Sequence, residues 1–391
     1  MKSTKTIRLF IHSAIVLAVS YLIASFFMAS TKSLSFFSVI DESGDVPMSD
    51  MYLYFNAKTS PERLDTSITF VDIDLCKDRL ERARLIEQID SLQPKVIGLD
   101  VFFRDQREPA GDPALENAIR NCKNLVIACI LEGEQRDDSD KYKICKRYFF
   151  VNQENENFTE GFVNLDSDGN SPVETFTPQL FLQQEKSMDT LYCFAAQVAR
   201  LYDKTAFQQL LQRAGNLEII HFQRLRFEKI EKNEIEDKKE HITGKIVLIG
   251  SLSEDWHKTP INPQMCGMEI HAQIISTIIE RKYIDRLDNI WTKSVNVLLC
   301  YLFALFCWFA TSNLKRGVTI LTKIVQVVIL LLAFFAGYFL FDLYHIDIAY
   351  TRTIIVMGVL ILIVDLYHVG VVWVDNRISK SNKINKNENN G

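Results

Sequence analysis

The sequence predicts an α/β domain with a mostly parallel sheet flanked by helices, set between one N-terminal and three C-terminal transmembrane helices. Three observations carry this reading. Four apolar runs, Leu9 to Ala29, Trp291 to Ala310, Val318 to Phe341 and Thr353 to Val374, each hold about 20 residues, the length a helix needs to cross roughly 30 Å of hydrocarbon. Between the first and second runs, continuous apolar segments alternate with amphipathic ones, the pattern of buried parallel strands covered by helices. Composition agrees, with 48% hydrophobic residues and 26 Phe in 391 residues, high for a protein without membrane segments.

The runs divide the chain into residues 1–8, spans at 9–29, 291–310, 318–341 and 353–374, a large domain at 30–290, and a tail at 375–391. Lys2, Lys5 and Arg8 precede the first span, Lys315 and Arg316 follow the second, and Arg377, Lys380, Lys383 and Lys386 follow the fourth. The positive-inside rule then places both termini in the cytoplasm and residues 30–290 outside. The first run is longer than a usual signal-peptide core and "FFMASTKS" is a poor cleavage site, so an uncleaved anchor is expected. The domain holds 32 Lys and Arg against 44 Asp and Glu, a net charge of roughly −12, which argues against nucleic acid as a partner. Six of the eight cysteines lie in it. An exported compartment permits disulfides, but no pairing follows from the sequence, and no spacing suits a zinc site.

Residues 30 to 66 lack periodicity and read as an irregular lead-in. "ITFVDID" (Ile68 to Asp74) is a strand, "RLERARLIEQIDSL" (Arg79 to Leu92) an amphipathic helix, "KVIGLDVFF" (Lys95 to Phe103) a buried strand, "ALENAIRNC" (Ala114 to Cys122) a helix and "NLVIACI" (Asn124 to Ile130) a third strand. Leu131 to Glu160 is polar and reads as an exposed excursion. Two strand-like pieces flank the turn "DSDGNSP"; a helix is expected at Ser187 to Leu201, a strand at "LEIIHF", a helix or loop at "KIEKNEIEDKKEHI", the last buried strand at "GKIVLIG" (Gly244 to Gly250), and a helix at Gly267 to Ile284.

Asp72, Asp74 and Asp100 fall at strand ends, where open α/β sheets bind ligands. Should the strand of Asp100 neighbour that of Asp74, with "KIVLIG" beside them, Asp255 and His257 enter the same crevice. Such a crevice suits a divalent cation or a cationic or polyhydroxyl ligand; the plainer alternative is that these acids bond loop N–H groups and cap helices. Thr259, Glu269 and His271 complete the candidate set, with Pro260 and Pro263 stiffening the loop between the last strand and helix. "GSLSED" lacks the later glycines of a dinucleotide loop, so no cofactor is expected. Nor is a nucleophile elbow present. Within the spans, Lys323, Asp365 and His368 are ionisable; such groups face a bundle interior or water, and Lys323 is expected to pair with Asp365.

"TFVDID", "KVIGLDVFF", "GDPALENAIRNCKNLVIA", "GFVNLDSDGNSPVETF" and, above all, "GKIVLIGSLSEDWHKTPINPQMCGMEIHAQIISTIIERKYI" together resemble a CHASE2 domain, the extracytoplasmic sensor domain of bacterial transmembrane receptors. The resemblance covers about residues 35 to 285, and the Asp-x-His-x-Thr-Pro and Gly-x-Glu-x-His-Ala segments are its most specific parts. It implies a multi-pass protein of the bacterial cytoplasmic membrane whose large periplasmic-side domain senses a small ligand, ion or protein. Family members usually continue past the last span into a kinase or cyclase. The tail here is too short and polar to fold, so the expectation is no enzymatic output in this chain and a signal passed to a separate signalling or envelope protein, with homo-oligomerisation left open. The alternatives are an envelope structural or assembly protein that docks a partner through an apolar patch, a hydrolase using Asp74, Asp100, His257 or Cys266, and a transporter built on Lys323, Asp365 and His368.

Overall fold

The computed structural model describes residues 2–31, 48–134, 141–146, 148–151, 159–165, 172–183, 188–213, 216–313, 319–348 and 350–388. The Lys315–Arg316 loop and the 166–171 part of the predicted turn fall outside these residues. The chain divides into two compact units, residues 53–284 and residues 1–52 with 285–391. Helix α1 (Lys2–Thr31) belongs to the second of these, and α2 (Met48–Thr59) contains the boundary.

In residues 53–284 the expected β-α-β-α-β run is present as β1 (Arg63–Asp72), α3 (Arg79–Ser91), β2 (Val96–Asp100), α4 (Gly111–Asn121) and β3 (Leu125–Glu134). β4 (Lys141–Lys146) runs antiparallel to the second half of β3, and β5 (Thr159–Phe162) runs parallel to the first half. A lateral group follows: β6 (Thr175–Phe176), β7 (Gln179–Gln183), β8 (Met188–Tyr192), α5 (Phe194–Tyr202), α6 (Lys204–Leu211) and β9 (Glu218–Ile219). The chain then returns to the sheet as β10 (Leu225–Ile230) and β11 (Ile246–Gly250), and ends in β12 (Trp256–His257), β13 (Met265–Cys266) and α7 (Gly267–Ile279). Six strands are mutually parallel, in the order β10-β1-β11-β2-β3-β5.

Alternation along the strands sorts their side chains onto two covered faces. Ile97, Leu99, Val247 and Ile249 pack with Leu85, Ile86 and Ile89 of α3 and Leu115 and Ile119 of α4. Gly98 and Leu248 point the other way, towards Phe194 and Val198 of α5. Phe194 is fully buried and lies so close that a Cβ on Gly98 would come within 2.9 Å of its ring, while a Cβ on Gly161 would sit 2.5 Å from its Cα. α3 starts where Asp78 caps it, accepting from Glu81 N at 2.8 Å.

Several local expectations are corrected. The lead-in contains α2, and β1 begins at Arg63. Residues 188–192 form strand β8 paired with β7, so the helix starts only at Phe194, after Cys193; pairing across the sheet outweighs local helical propensity. β10, "LRFEKI", was missed because an edge strand with one exposed face keeps charged residues. "LEIIHF" reduces to the two residues of β9. The helix expected to reach Ile284 ends at Ile279. Part of the polar excursion is core: Tyr148 and Phe150 are buried, Tyr148 lying edge-on to Phe103 at 5.5 Å.

In the other unit, β14 (Asp285–Leu287) leads into α8 (Ile290–Asn313), then α9 (Thr319–Tyr344), β15 (Ile346–Ile348) and α10 (Thr351–Glu388). Four helical stretches are long and apolar enough to cross a membrane: Thr6–Phe27, Ile290–Asn313, Ile320–Tyr344 and Thr351–Ser381. α1, α8 and α10 share a core of Val16, Cys300, Ala304, Cys307, Val356 and Leu360, in which the small side chains of Cys300, Ala304 and Cys307 on α8 let apolar helices approach closely. The short loop expected between the last two spans contains β15, which pairs in parallel with β14, and Arg286 binds Asp347 at 3.1 Å. α10 continues as helix to Glu388, although the tail was expected to be unfolded; extending an existing helix needs no new nucleus.

The pairing expected inside the spans is present. Lys323 Nζ lies 3.0 Å from Asp365 Oδ2 and donates to Ile361 O at 2.8 Å, while His368 meets the Trp308 ring edge-on at 5.6 Å. Lys323→Met or Asp365→Leu alone should lower Tm in detergent, and the double variant should recover part of the loss, with a coupling of about 0.5–3 kcal/mol in a double-mutant cycle. Gly161→Ala should destabilise residues 53–284 by about 1–3 kcal/mol, because the atoms it meets are backbone; unchanged thermal unfolding would contradict this packing.

Candidate functional site

The strand order sets the site. β11 lies between β1 and β2, and its register aligns Asp72, Gly250 and Asp100 across the three strands. The two acid-bearing strands are therefore not direct neighbours; the strand carrying "KIVLIG" separates them. Above their carboxyl ends opens a cleft of about 720 Å³, within the usual range for small-molecule sites. Asp74, Asp100, Asp255, His257 and His271 line it, joined by Arg82, Asn164, Ser251 and Glu254.

The loop after β11 is a small hairpin, with β12 and β13 antiparallel. Thr259 closes its turn: its N–H and Oγ1 both donate to Asn262 O at 2.9 Å, and Asn262 N donates to Oγ1 at 3.1 Å. Asp255 has φ +58°, a left-handed conformation that Asp tolerates better than most residues. Its carbonyl accepts from Gly267 N at 2.9 Å. Any Cβ at Gly267 would come within 2.5 Å of the Asp255 carboxylate, so glycine there lets the acid sit against the first turn of α7, where a helix favours negative charge. Gly250 allows a second close approach, its hydrogen facing Met268 Sδ and Asp100 O.

Asp255 Oδ1 lies 2.9 Å from His257 Nε2. That hydrogen bond holds the Asp255 carboxyl below the usual range and raises the imidazole of His257. His271 behaves oppositely. It is only 4% exposed, lies edge-on to Phe194 at 5.3 Å, and burial pushes it down to about 4; its Nδ1 has no hydrogen-bond partner. Burial first, and then the charge of Asp255, push Asp100 up to about 7.

Asp74 lies just beyond β1, and its Oδ2 accepts from Ser251 Oγ and, at 3.3 Å, from Ser253 Oγ. Three of the eight predicted residues do not line the cleft. Asp72 accepts from Asp74 N at 3.0 Å, Thr259 closes the hairpin turn, and Glu269 faces Lys229 at 3.5 Å on another side of α7. The plainer reading of strand-end acids as loop fasteners thus holds for Asp72, and partly for Asp74. Arg82 was missed: it sits on an amphipathic helix, and only the stacking of its guanidinium 5.8 Å from the Phe103 ring directs it to the cleft. Asn164 was missed too; its carboxamide exchanges two 2.9 Å bonds with the Leu131 backbone. Cys266 is buried outside the cleft lining with its thiol pushed up to about 11, unsuited to act as a nucleophile. Cys76, Cys122, Cys266, Cys300 and Cys307 are free thiols. Among the described residues, no three His, Cys, Asp or Glu are placed to share a metal ion.

Burial makes Asp100 a weaker acid in the fold than in the unfolded chain. An acid protonated more readily folded than unfolded stabilises the fold fully below the unfolded value near 4, and this contribution is lost as pH rises through about 7. Asp100→Asn removes the ionisation, so its Tm should come closest to wild type near pH 4, exceed it by a growing margin up to about pH 7, and keep that margin above it. A difference independent of pH would show that Asp100 ionises as freely as in the unfolded chain.

Comparison with known proteins adds one finding. No curated protein and no solved structure matches the chain. The model of the CHASE2 domain matches residues 36–312, which contain the whole sheet, the hairpin loop and α7. That match spans well over half of the sequence: the chain belongs to the CHASE2 domain family.

Proposed function

We propose that residues 53–284 form an extracytoplasmic ligand-binding sensor, anchored in a bacterial cytoplasmic membrane by four helices, that passes its state to a separate protein. The observation that carries this reading is the cleft, where groups from β1, β2, β11, α3 and α7 converge although most of them are far apart in the chain. A concave polar pocket is what a sensor needs, whereas an assembly protein needs a broad apolar face. The exposed large apolar side chains described in this unit, among them Tyr54, Phe55, Leu75, Phe181, Leu217 and Trp256, are spread over separate elements. Binding rather than catalysis is favoured because Asp74 is engaged by serines and Cys266 is outside the cleft. The basic flanks of the first and last spans support an external domain, and the polar helical end of α10 offers a surface for the partner. A ligand shifts such a system only through different affinity for its two states.

Crosslinking of the intact protein in native membranes, followed by mass spectrometry, tests the relay. Ser251→Trp, which fills the cleft, should change recovery of a signalling protein relative to wild type; identical recovery would refute a link between cleft and partner. Sidedness is checked with Asp237→Cys, an exposed position remote from the cleft. A membrane-impermeant maleimide should label it in cells whose outer membrane has been opened, and labelling only after lysis would put the domain inside.

A further inference from the structure

Among the described residues, three charged side chains that line the cleft have no hydrogen-bond or ion-pair partner: Asp100, Arg82 and Glu254. Glu254 is exposed and keeps its hydration; Asp100 and Arg82 are partly buried, of opposite charge type, and do not pair with each other. The Asp100 carboxyl, at the end of a central strand, accepts no hydrogen bond from any described residue, and the nearest charge acting on it is the like charge of Asp255. Arg82, on the α3 wall, makes no ion pair among the described residues; its guanidinium stacks on Phe103, and its buried Nε has no acceptor. The other polar groups are largely occupied: Asp74 by Ser251 and Ser253, Asp255 by His257, and Asn164 by the Leu131 backbone. His271, 4% exposed and lining the same cleft, has no hydrogen-bond partner at Nδ1 among the described residues, so the protein leaves a polar group of this wall unsatisfied.

Each simple ligand class leaves one of these groups uncompensated. A neutral polyol would desolvate both charges without neutralising either, an amine would leave Arg82, and a carboxylate would leave Asp100; an unpaired charge shut away from water is costly. A hard divalent cation needs six or more oxygen ligands, or four if tetrahedral zinc, and no three suitable side chains among the described residues converge on one point. We propose that the cleft binds a small zwitterion, an ammonium and an acidic group on a short skeleton such as a free α-amino acid, with the ammonium at Asp100 and the anion at Arg82. This rests on the ligand-binding reading of the cleft and narrows it to one chemical class. Arg82 suits the anionic end because a guanidinium presents paired donors in the geometry of a carboxylate.

The test is thermal shift and calorimetry on the intact protein in detergent, with the proteinogenic L-amino acids, putrescine, glutarate, glucose and calcium chloride as separate probes. At least one amino acid should raise Tm by roughly 5 °C at about 100 times its Kd, while putrescine and glutarate give no shift. Asp100→Asn and Arg82→Gln should each weaken that amino acid by about tenfold or more while the unliganded Tm stays at or above the wild-type value. The two variants are independent, so loss of fold in one leaves the other decisive. Putrescine or glutarate binding as well as any amino acid, undiminished affinity in both variants, or no response to any amino acid would overturn the proposal. A shift with glucose or calcium alone would sink the zwitterion and leave the cleft as a ligand site. An amino-acid shift that persists in Ser251→Trp would place binding elsewhere and sink both.

Discussion

The placement of β11 between β1 and β2 is the constraint on which the site depends. Both edges of β11 are hydrogen-bonded and all five of its residues are buried, so neither its register nor its direction can change without breaking two ladders and exposing apolar side chains. The level at which Asp72, Gly250 and Asp100 stand follows directly. The loop after Gly250 must then leave from the centre of the sheet's carboxyl edge, which puts Asp255 and His257 over the cleft. A parallel sheet whose strand order reverses opens such a crevice between its loops.

Close backbone approach finishes what the strand order begins. Gly250 and Gly267 remove the side chains that would hold α7 and its hairpin away from the sheet, and Gly98 and Gly161 admit the Phe194 ring and backbone. Phe194 in turn supports His271 edge-on. Apolar packing therefore positions in the cleft wall an imidazole whose Nδ1 has no hydrogen-bond partner among the described residues.

The membrane unit answers the same problem in a different medium. Lys323 and Asp365 would each be expensive alone in hydrocarbon; they pair with each other, and Lys323 also donates to the Ile361 carbonyl. Small residues at Cys300, Ala304 and Cys307 bring the helices close enough for dispersion contacts to hold them together where water-driven burial cannot.

The sequence alone determined the elements with strong periodicity: the four spans, the β-α-β-α-β run, the buried strand "KIVLIG" and the helix from Gly267. These are set by local runs of apolar residues at fixed spacing, and so is the CHASE2 resemblance, which rests on a contiguous block around Asp255 to Ala272. Even the Lys323–Asp365 pair was legible, because an ionisable residue in an apolar run has few solutions. Tertiary structure alone decided what depends on partners distant in the chain. β8 and β10 are strands because of what they pair with, Tyr148 and Phe150 are core because the sheet places Phe103 beneath them, and Arg82 enters the cleft because that same ring holds it. Of the strand-end acids, the sequence could not separate Asp72, bonded to its own loop, from Asp100, left open. That difference lies in which donors the fold brings within about 3 Å, and no local pattern encodes it.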